Sequence, residues 1–245
     1  MKNIIIIPAR MNSSRFYGKP LKLINKTPMI GHVYNKAKLV KQIKEVYVAT
    51  CDKEIYDYIK SINGDAIMTS KKHDRASDRV AEALKKIEKL KKTKFDLVIM
   101  IQGDEPMISS KMILNSIIPF KDKNCNVVNL ITKIKDKKNF YDPNEVKVVF
   151  DNNMKAIYFS REPIPSNKKY NKVSLGYKQV CIIPFRRKFL FKFNNLKQTK
   201  LEKIESVDML RLIENNIDIK LVKSNLETYS VDTLEDLNKV AKLMK

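Results

Sequence analysis

Four consecutive isoleucines at 4–7 open the apolar pattern, and β-type runs recur at 45–49, 97–101 and 126–131. So short an apolar run suits a central parallel strand buried on both faces better than a helix. Between the first three runs the period changes. Ile30, Val33, Ala37 and Val40 make a stripe over 29–40, and Ile55, Tyr58, Ile59 and Ile62 make another; both follow the repeat of an amphipathic helix. A third helix is predicted over 77–90, with Val80, Ala83, Leu84, Ile87 and Leu90 toward the core and lysines on the other side. Strands alternating with helices predict an α/β fold with βαβ units and a mostly parallel central sheet.

From 143 to 183 the pattern changes to short strands at 147–150 and 156–160, a Pro-rich link and a strand over 179–183. This reads as a β-rich insertion that completes or covers a site on the sheet. A helix over 201–214, a strand over 217–222 and a helix over 233–244 close the pattern. No internal repeat is visible. One domain over 1–245 is expected, because 43% hydrophobic residues suffice for a large core.

Composition narrows the function classes. The formal charge of +22 raises nucleic acid or an anionic membrane as a partner. Lysine is spread through nearly every helix and turn, however, which reads as a solvated surface that assists capture of anionic substrates rather than as a nucleic-acid stripe. No apolar run approaches the roughly 20 residues needed to cross a bilayer, and Met1-Lys2-Asn3 leads into a strand without a secretory apolar region, so no membrane insertion and a cytoplasmic location are expected. Cys51, Cys125 and Cys181 are far apart in sequence and read as packing residues.

The candidate chemistry sits at strand ends. The first strand runs through Pro8 and Ala9 into a loop carrying Arg10, Ser13, Ser14, Arg15, Gly18 and Lys19. In open α/β sheets ligands bind at the carboxyl ends of strands, and these donors suit a polyanion. The loop lacks the glycine fingerprints of P-loops and dinucleotide folds. The run at 97–101 ends in Gln102-Gly-Asp-Glu-Pro106, placing Asp104 and Glu105 at a second strand mouth. Mg²⁺ takes one or two carboxylates together with phosphate oxygens and water, so Asp104 beside a basic phosphate loop is the expected pairing. Asp232 in Val231-Asp-Thr-Leu-Glu235 is a second acid, although Asp232 and Glu235 also fit a helix-capping pattern. His73-Asp-Arg-Ala-Ser-Asp-Arg79 offers Ser77 and Arg79, with helix capping as the other reading of Ser77. Arg161 precedes prolines at a strand end, where it could clamp a carboxylate or form a surface ion pair.

In this order the pieces resemble the sugar-acid cytidylyltransferases, in particular the 3-deoxy-manno-octulosonate (Kdo) cytidylyltransferase family, the CMP-Kdo synthetases. The carriers are Ile7-Pro-Ala-Arg10 with Ser-Arg15 and Gly-Lys-Pro-Leu21, Gln102-Gly-Asp-Glu-Pro106, Asp142-Pro-Asn-Glu-Val-Lys-Val-Val149, Tyr158-Phe-Ser-Arg-Glu-Pro-Ile-Pro165, Leu201-Glu202 with Leu210-Arg211, and Val231-Asp-Thr233 with Glu-Asp-Leu237. The resemblance implies a Rossmann-like nucleotide-diphospho-sugar transferase fold. It also implies an enzyme that uses CTP and Mg²⁺, often as a homodimer, to make a CMP-sugar for lipopolysaccharide. Pro8, Ala9, Arg10, Ser13, Arg15, Lys19, Ser77, Arg79 and Gln102 would bind nucleotide. Asp104 and Asp232 would hold the metal, and Arg79, Gln102, Arg161, Gln179 and Asp208 would line the sugar-acid pocket. Arg10, Lys19, Asp104 and Asp232 are then the catalytic set, and His73 is not expected to be a base.

The departures fall mainly on the sugar side, with Ser230 just ahead of the second metal-binding acid. Arg75 and Ala76 stand where the family has a small, flexible pair; Gln179 and Ile183 replace a histidine and a tyrosine; Asp208 replaces a glutamate and Ser230 a glycine. They imply retained nucleotidyl transfer and leave the preferred sugar acid open between Kdo and a relative such as an amino-Kdo or nonulosonic acid.

Overall fold

The computed structural model describes residues 1–13, 15–166 and 176–245. In chain order the first half contains β1 (Asn3–Ala9), a hairpin of β2 (Leu23–Ile24) and β3 (Thr27–Pro28), α1 (Met29–Lys38), β4 (Glu45–Thr50), α2 (Lys53–Ser61), β5 (Ala66–Met68), α3 (Ala76–Lys91) and β6 (Leu97–Ile101). The second half adds α4 (Ser110–Ile117), β7 (Val128–Lys133), α5 (Lys137–Tyr141), β8 (Lys147–Phe150), β9 (Ala156–Ser160), β10 (Tyr177–Val180) and β11 (Ile182–Arg186). Then come α6 (Arg187–Asn195), α7 (Lys200–Glu205), α8 (Leu210–Glu214), β12 (Lys220–Ser224) and α9 (Leu234–Leu243).

The central sheet runs β11-β6-β1-β4-β5, parallel except for β11, which lies antiparallel on β6. The isoleucine run is its middle, and alternation sends Ile4 and Ile6 toward α3 and α6 while Ile5 and Ile7 meet α1 and α2. All four are fully buried, each contributing about 2 kcal/mol of transfer free energy. The third helix forms as expected, but Leu90 lies beyond the buried stripe and is 71% exposed.

A second sheet runs β12-β7-β10-β8-β9, and the strands of the expected insertion are part of it. The apolar run at 126–131 belongs here rather than to the central sheet: among the described residues it joins β11 through a single bridge, Val127 to Phe185, before β7 pairs with β10 and β12. The strand expected over 179–183 is two strands in different sheets. At Cys181 the backbone N–H donates to the buried Glu105 carboxylate (2.9 Å), and the chain passes from one sheet to the other. The helix expected over 201–214 is also divided, because Ser206 adopts a left-handed conformation (φ +52°) that ends α7.

Candidate active site

A cleft of about 420 Å³ opens at the carboxyl ends of β1 and β6. The loop after β1 is shaped by Gly18, whose φ of +70° is costly for a side-chain-bearing residue and whose N–H returns to the Met11 carbonyl (2.9 Å). Met11 is in turn held by Asp52 (2.7 Å). Lys19 then begins a short 3₁₀ turn with Pro20 and points inward. Gly103 permits close approach of the second strand mouth, since a Cβ there would lie 3.1 Å from the Pro8 carbonyl oxygen.

The Lys19 ammonium donates to Asp104 Oδ2 (2.8 Å), Asp232 Oδ1 (3.0 Å) and the Val231 carbonyl (3.0 Å), and Arg15 also reaches Asp232 Oδ1 (2.7 Å). Burial penalises the Lys19 ammonium, yet the two facing carboxylates outweigh it and hold its pKa above the usual lysine range. Burial likewise opposes ionisation of Asp232, and Lys19 and Arg15 overcome that cost to keep its pKa below the usual carboxylate value. The Val231 N–H bonds the Asp104 carbonyl (2.9 Å), which ties the two acid-bearing segments together. The capping reading of Asp232 and Glu235 does not hold: Thr233 caps α9 in a reciprocal pair with Asp236, and Glu235 lies outside on Lys138. Asp232 is left for the cleft.

Pro8, Ala9, Arg10, Ser13, Gln102 and Arg79 also line this cleft. Ser14 lies outside the described residues. Ser77 does not reach the cleft; it is fully buried in the first turn of α3, and its hydroxyl has no partner among the described residues. Arg79 is 3% exposed and donates to Thr69 Oγ1 (2.6 Å). On the opposite wall Arg161 is fixed by the carbonyls of Glu205 (2.6 Å) and Pro143 (2.8 Å). Burial, then the like charge of Arg15, lowers its pKa, so an anion between these two guanidiniums would relieve their repulsion. Gln179 lines the cleft with its amide donating to Asn129 Oδ1 (2.6 Å). Asp208 also lines it, its pKa raised by burial against the pull of Arg75 and Arg211. His73 sits at the rim with its ring on Glu82. Ile183, expected on the sugar side, is instead packed in the core.

Residues not singled out as site residues complete the lining. Arg75 reaches the buried Glu202 (3.2 Å), which Arg211 grips with two hydrogen bonds (2.6 and 2.7 Å). Asn144 and Glu145 line the wall beside Arg161, and their Asp142-Pro-Asn-Glu run was the available signal. Cys181 lines it too, with burial pushing its thiol well above the usual range. Glu105, beside Asp104, also borders the cleft but is 3% exposed: burial raises its carboxyl to about 7, and it accepts from the Cys181 N–H.

Asp104 and Asp232 already converge on one cation, the Lys19 ammonium, so they offer the hard oxygen pair that Mg²⁺ prefers. Among the described residues no group of three or more His, Cys, Asp or Glu side chains could hold a metal. A divalent ion here would therefore share its shell with substrate oxygens and water.

Residues 4–219 match the family model described as cytidylyltransferase. The chain is 41% identical to the 3-deoxy-manno-octulosonate cytidylyltransferase of Thermodesulfovibrio yellowstonii, covering 100% of this chain and 98% of that one. It is 39% identical to the 8-amino-3,8-dideoxy-manno-octulosonate cytidylyltransferase of Shewanella pealeana, with 97% and 96% covered. Among solved structures it is similar to CMP:2-keto-3-deoxy-manno-octonic acid synthetase complexed with CTP, with a TM-score of 0.87, 36% identity and coverage of 100% and 98%. It shares its fold with 4-diphosphocytidyl-2C-methyl-D-erythritol synthase from Anaerococcus prevotii (TM-score 0.61, 16% identity, coverage 100% and 99%).

Proposed function

The chain belongs to the cytidylyltransferase family, and we propose that it transfers CMP from CTP to the anomeric hydroxyl of a 2-keto-3-deoxy sugar acid, Kdo or a close relative, releasing pyrophosphate. The observation that carries this reading is the meeting of Lys19, Asp104 and Asp232 beneath the basic loop after β1. The names of the full-length relatives support the same substrates.

In this reading Arg10, Ser13, Arg15 and Lys19 receive the triphosphate. The sugar hydroxyl attacks the α-phosphorus in line, the bond to the β-phosphate oxygen breaks, and the electron pair leaves with pyrophosphate. No covalent enzyme intermediate is required. Positioning and charge neutralisation supply the catalysis, with Lys19 and Arg10 facing the negative charge that develops. Arg161 faces the sugar carboxylate, while Arg79, Gln102, Gln179 and Asp208 line the rest of the pocket. Mg²⁺ held by Asp104 and Asp232 would neutralise phosphate charge and lower the pKa of a bound hydroxyl. A homodimer working in the cytoplasm, supplying lipopolysaccharide or surface-polysaccharide synthesis, fits this role.

A second reading, with an amino-Kdo or nonulosonic acid as the preferred acceptor, is favoured by the changed lining at Arg75, Gln179 and Asp208. Pyrophosphate release is measured with CTP, UTP, ATP and GTP, Mg²⁺, and a panel of Kdo, 8-amino-3,8-dideoxy-Kdo and nonulosonic acids. CTP-dependent release with at least one acid is expected. Turnover of Kdo at least as fast as every other acid would remove the second reading. No release with any acid, together with no thermal shift on adding CTP and Mg²⁺, would refute the proposal.

A further inference from the structure

Lys147, the first residue of β8, is 0% exposed. An ammonium carries three N–H donors and no acceptor. This one meets three main-chain carbonyls, those of Asp142 (2.9 Å), Glu145 (2.8 Å) and Arg161. Among the described residues no carboxylate lies within ion-pair distance of it, and the Glu145 carboxylate is on Lys178 (2.6 Å). Its charge is therefore balanced mainly by oriented peptide dipoles. Burial pulls the ammonium below the usual lysine range, and the nearby charges of Asp142, Glu145 and Glu162 partly offset this.

The cage has a consequence for the cleft. Arg161 takes the Pro143 carbonyl (2.8 Å), so the carbonyls of Asp142, Pro143 and Glu145 all end on two cations. Asn144, Glu145, Val146 and Arg161 are cleft-lining residues. None of the caging carbonyls belongs to the loop after β1, to Asp104 or to Asp232.

We propose that Lys147 is a positioning residue, a built-in monovalent cation whose carbonyl cage holds the 142–146 turn and Arg161 in the shape that receives the sugar acid. The assignment of this wall to the sugar rests on the proposed function. With the charge removed, three converging carbonyls would lose their shared donor; that of Asp142 would keep the Glu145 N–H (3.2 Å), while those of Glu145 and Arg161 would need water, and the turn would have to open to admit it. The nucleotide half would keep its own fixings.

The test compares Lys147→Met, which keeps the volume and deletes the charge, with Lys147→Ala, which leaves room for a small cation. Both are assayed in sodium chloride and in ethylammonium chloride at equal ionic strength. Lys147→Met is expected to raise KM for the accepted sugar acid by about tenfold while KM for CTP stays within about twofold, a split that general destabilisation would not give. Ethylammonium is expected to restore KM and raise Tm in Lys147→Ala, but not in Lys147→Met or the wild type. An Ala variant that folds only with ethylammonium present also supports the cage.

An unchanged sugar KM in Lys147→Met, a matching loss of CTP binding, or no ethylammonium-specific gain in Lys147→Ala overturns the proposal. A wild type that turns over no sugar acid defeats the proposed function and with it the sugar assignment. The Tm comparison still decides whether the cage is a cation site.

Discussion

Replacing Lys19 by Met removes the charge between Asp104 and Asp232 and keeps most of the apolar stem. Asp104 Oδ2 and Asp232 Oδ1 lie 2.8 and 3.0 Å from the same nitrogen, so they are at most about 6 Å apart, where two unit charges at an effective dielectric of about 20 repel by about 3 kcal/mol. Their side chains are only 19% and 12% exposed, so solvent screens them incompletely. Arg15 remains on Asp232 but is itself 47% exposed and compensates in part. The variant without ligand is expected to lose about 1–2 kcal/mol at pH 7, a fall in Tm of about 2–8 °C.

The pH dependence fixes the cause. Asp232 has a depressed folded pKa, so its contribution is present above the unfolded value of 3.8 and is lost as pH falls through the folded value. Lys19 has a raised one, so its contribution is full below 10.5 and is lost only as pH rises through the folded value. The difference between wild type and variant should form a plateau from about pH 5 to pH 10 and shrink in acid. Urea unfolding at pH 7 and near pH 3.5 measures it. A loss at pH 7 below about 0.5 kcal/mol, or one that does not shrink in acid, refutes the electrostatic account. Mg²⁺ should stabilise the variant more than the wild type, because the ion no longer competes with an ammonium.

Gly18→Ala should cost about 1 kcal/mol through its φ of +70° rather than through a clash, since the nearest atom to a new Cβ, Met11 Cε, is 3.5 Å away; circular-dichroism melts would show it, and unchanged stability would contradict the left-handed geometry. Glu202→Gln leaves the buried Arg211 without its carboxylate and should destabilise by about 3 kcal/mol or more, read by urea unfolding. Glu82 is opposed by burial yet lowered from 4.5 to about 2 by Lys86, the Ser70 N–H and His73. Its contribution is therefore present above pH 4.5 and lost as pH falls toward 2. Between pH 5 and 3 the wild type should lose more stability than Glu82→Gln, and parallel curves would count against the shift.

Local pattern alone carried β1, β4 and β6 of the central sheet and the helices α1, α2 and α3 between them, because alternation and the 3.6-residue repeat record which faces are buried; the short edge strand β5 and the separate strand β11 were not legible in it. It also marked the chemistry of the loop after β1 and the acid at the mouth of β6, since Arg10, Arg15, Lys19 and Asp104 lie next to strand ends. Periodicity does not say which strand is a neighbour. The run at 126–131 therefore read as a central strand although it joins β10 and β12, and the break at Cys181 depended on a hydrogen bond to the distant Glu105. Ser77 read as a ligand residue because a hydroxyl looks the same at a cleft and under a helix.

Composition was silent about Lys147, one lysine in a chain rich in them, because what sets it apart is three carbonyls brought together by β8, the turn before it and the end of β9. The sequence by itself determined which segments are buried and which residue types stand at the strand ends. Only the tertiary structure decided that Asp232 meets Asp104 across Lys19, because that meeting depends on long-range packing that brings together segments far apart in the chain.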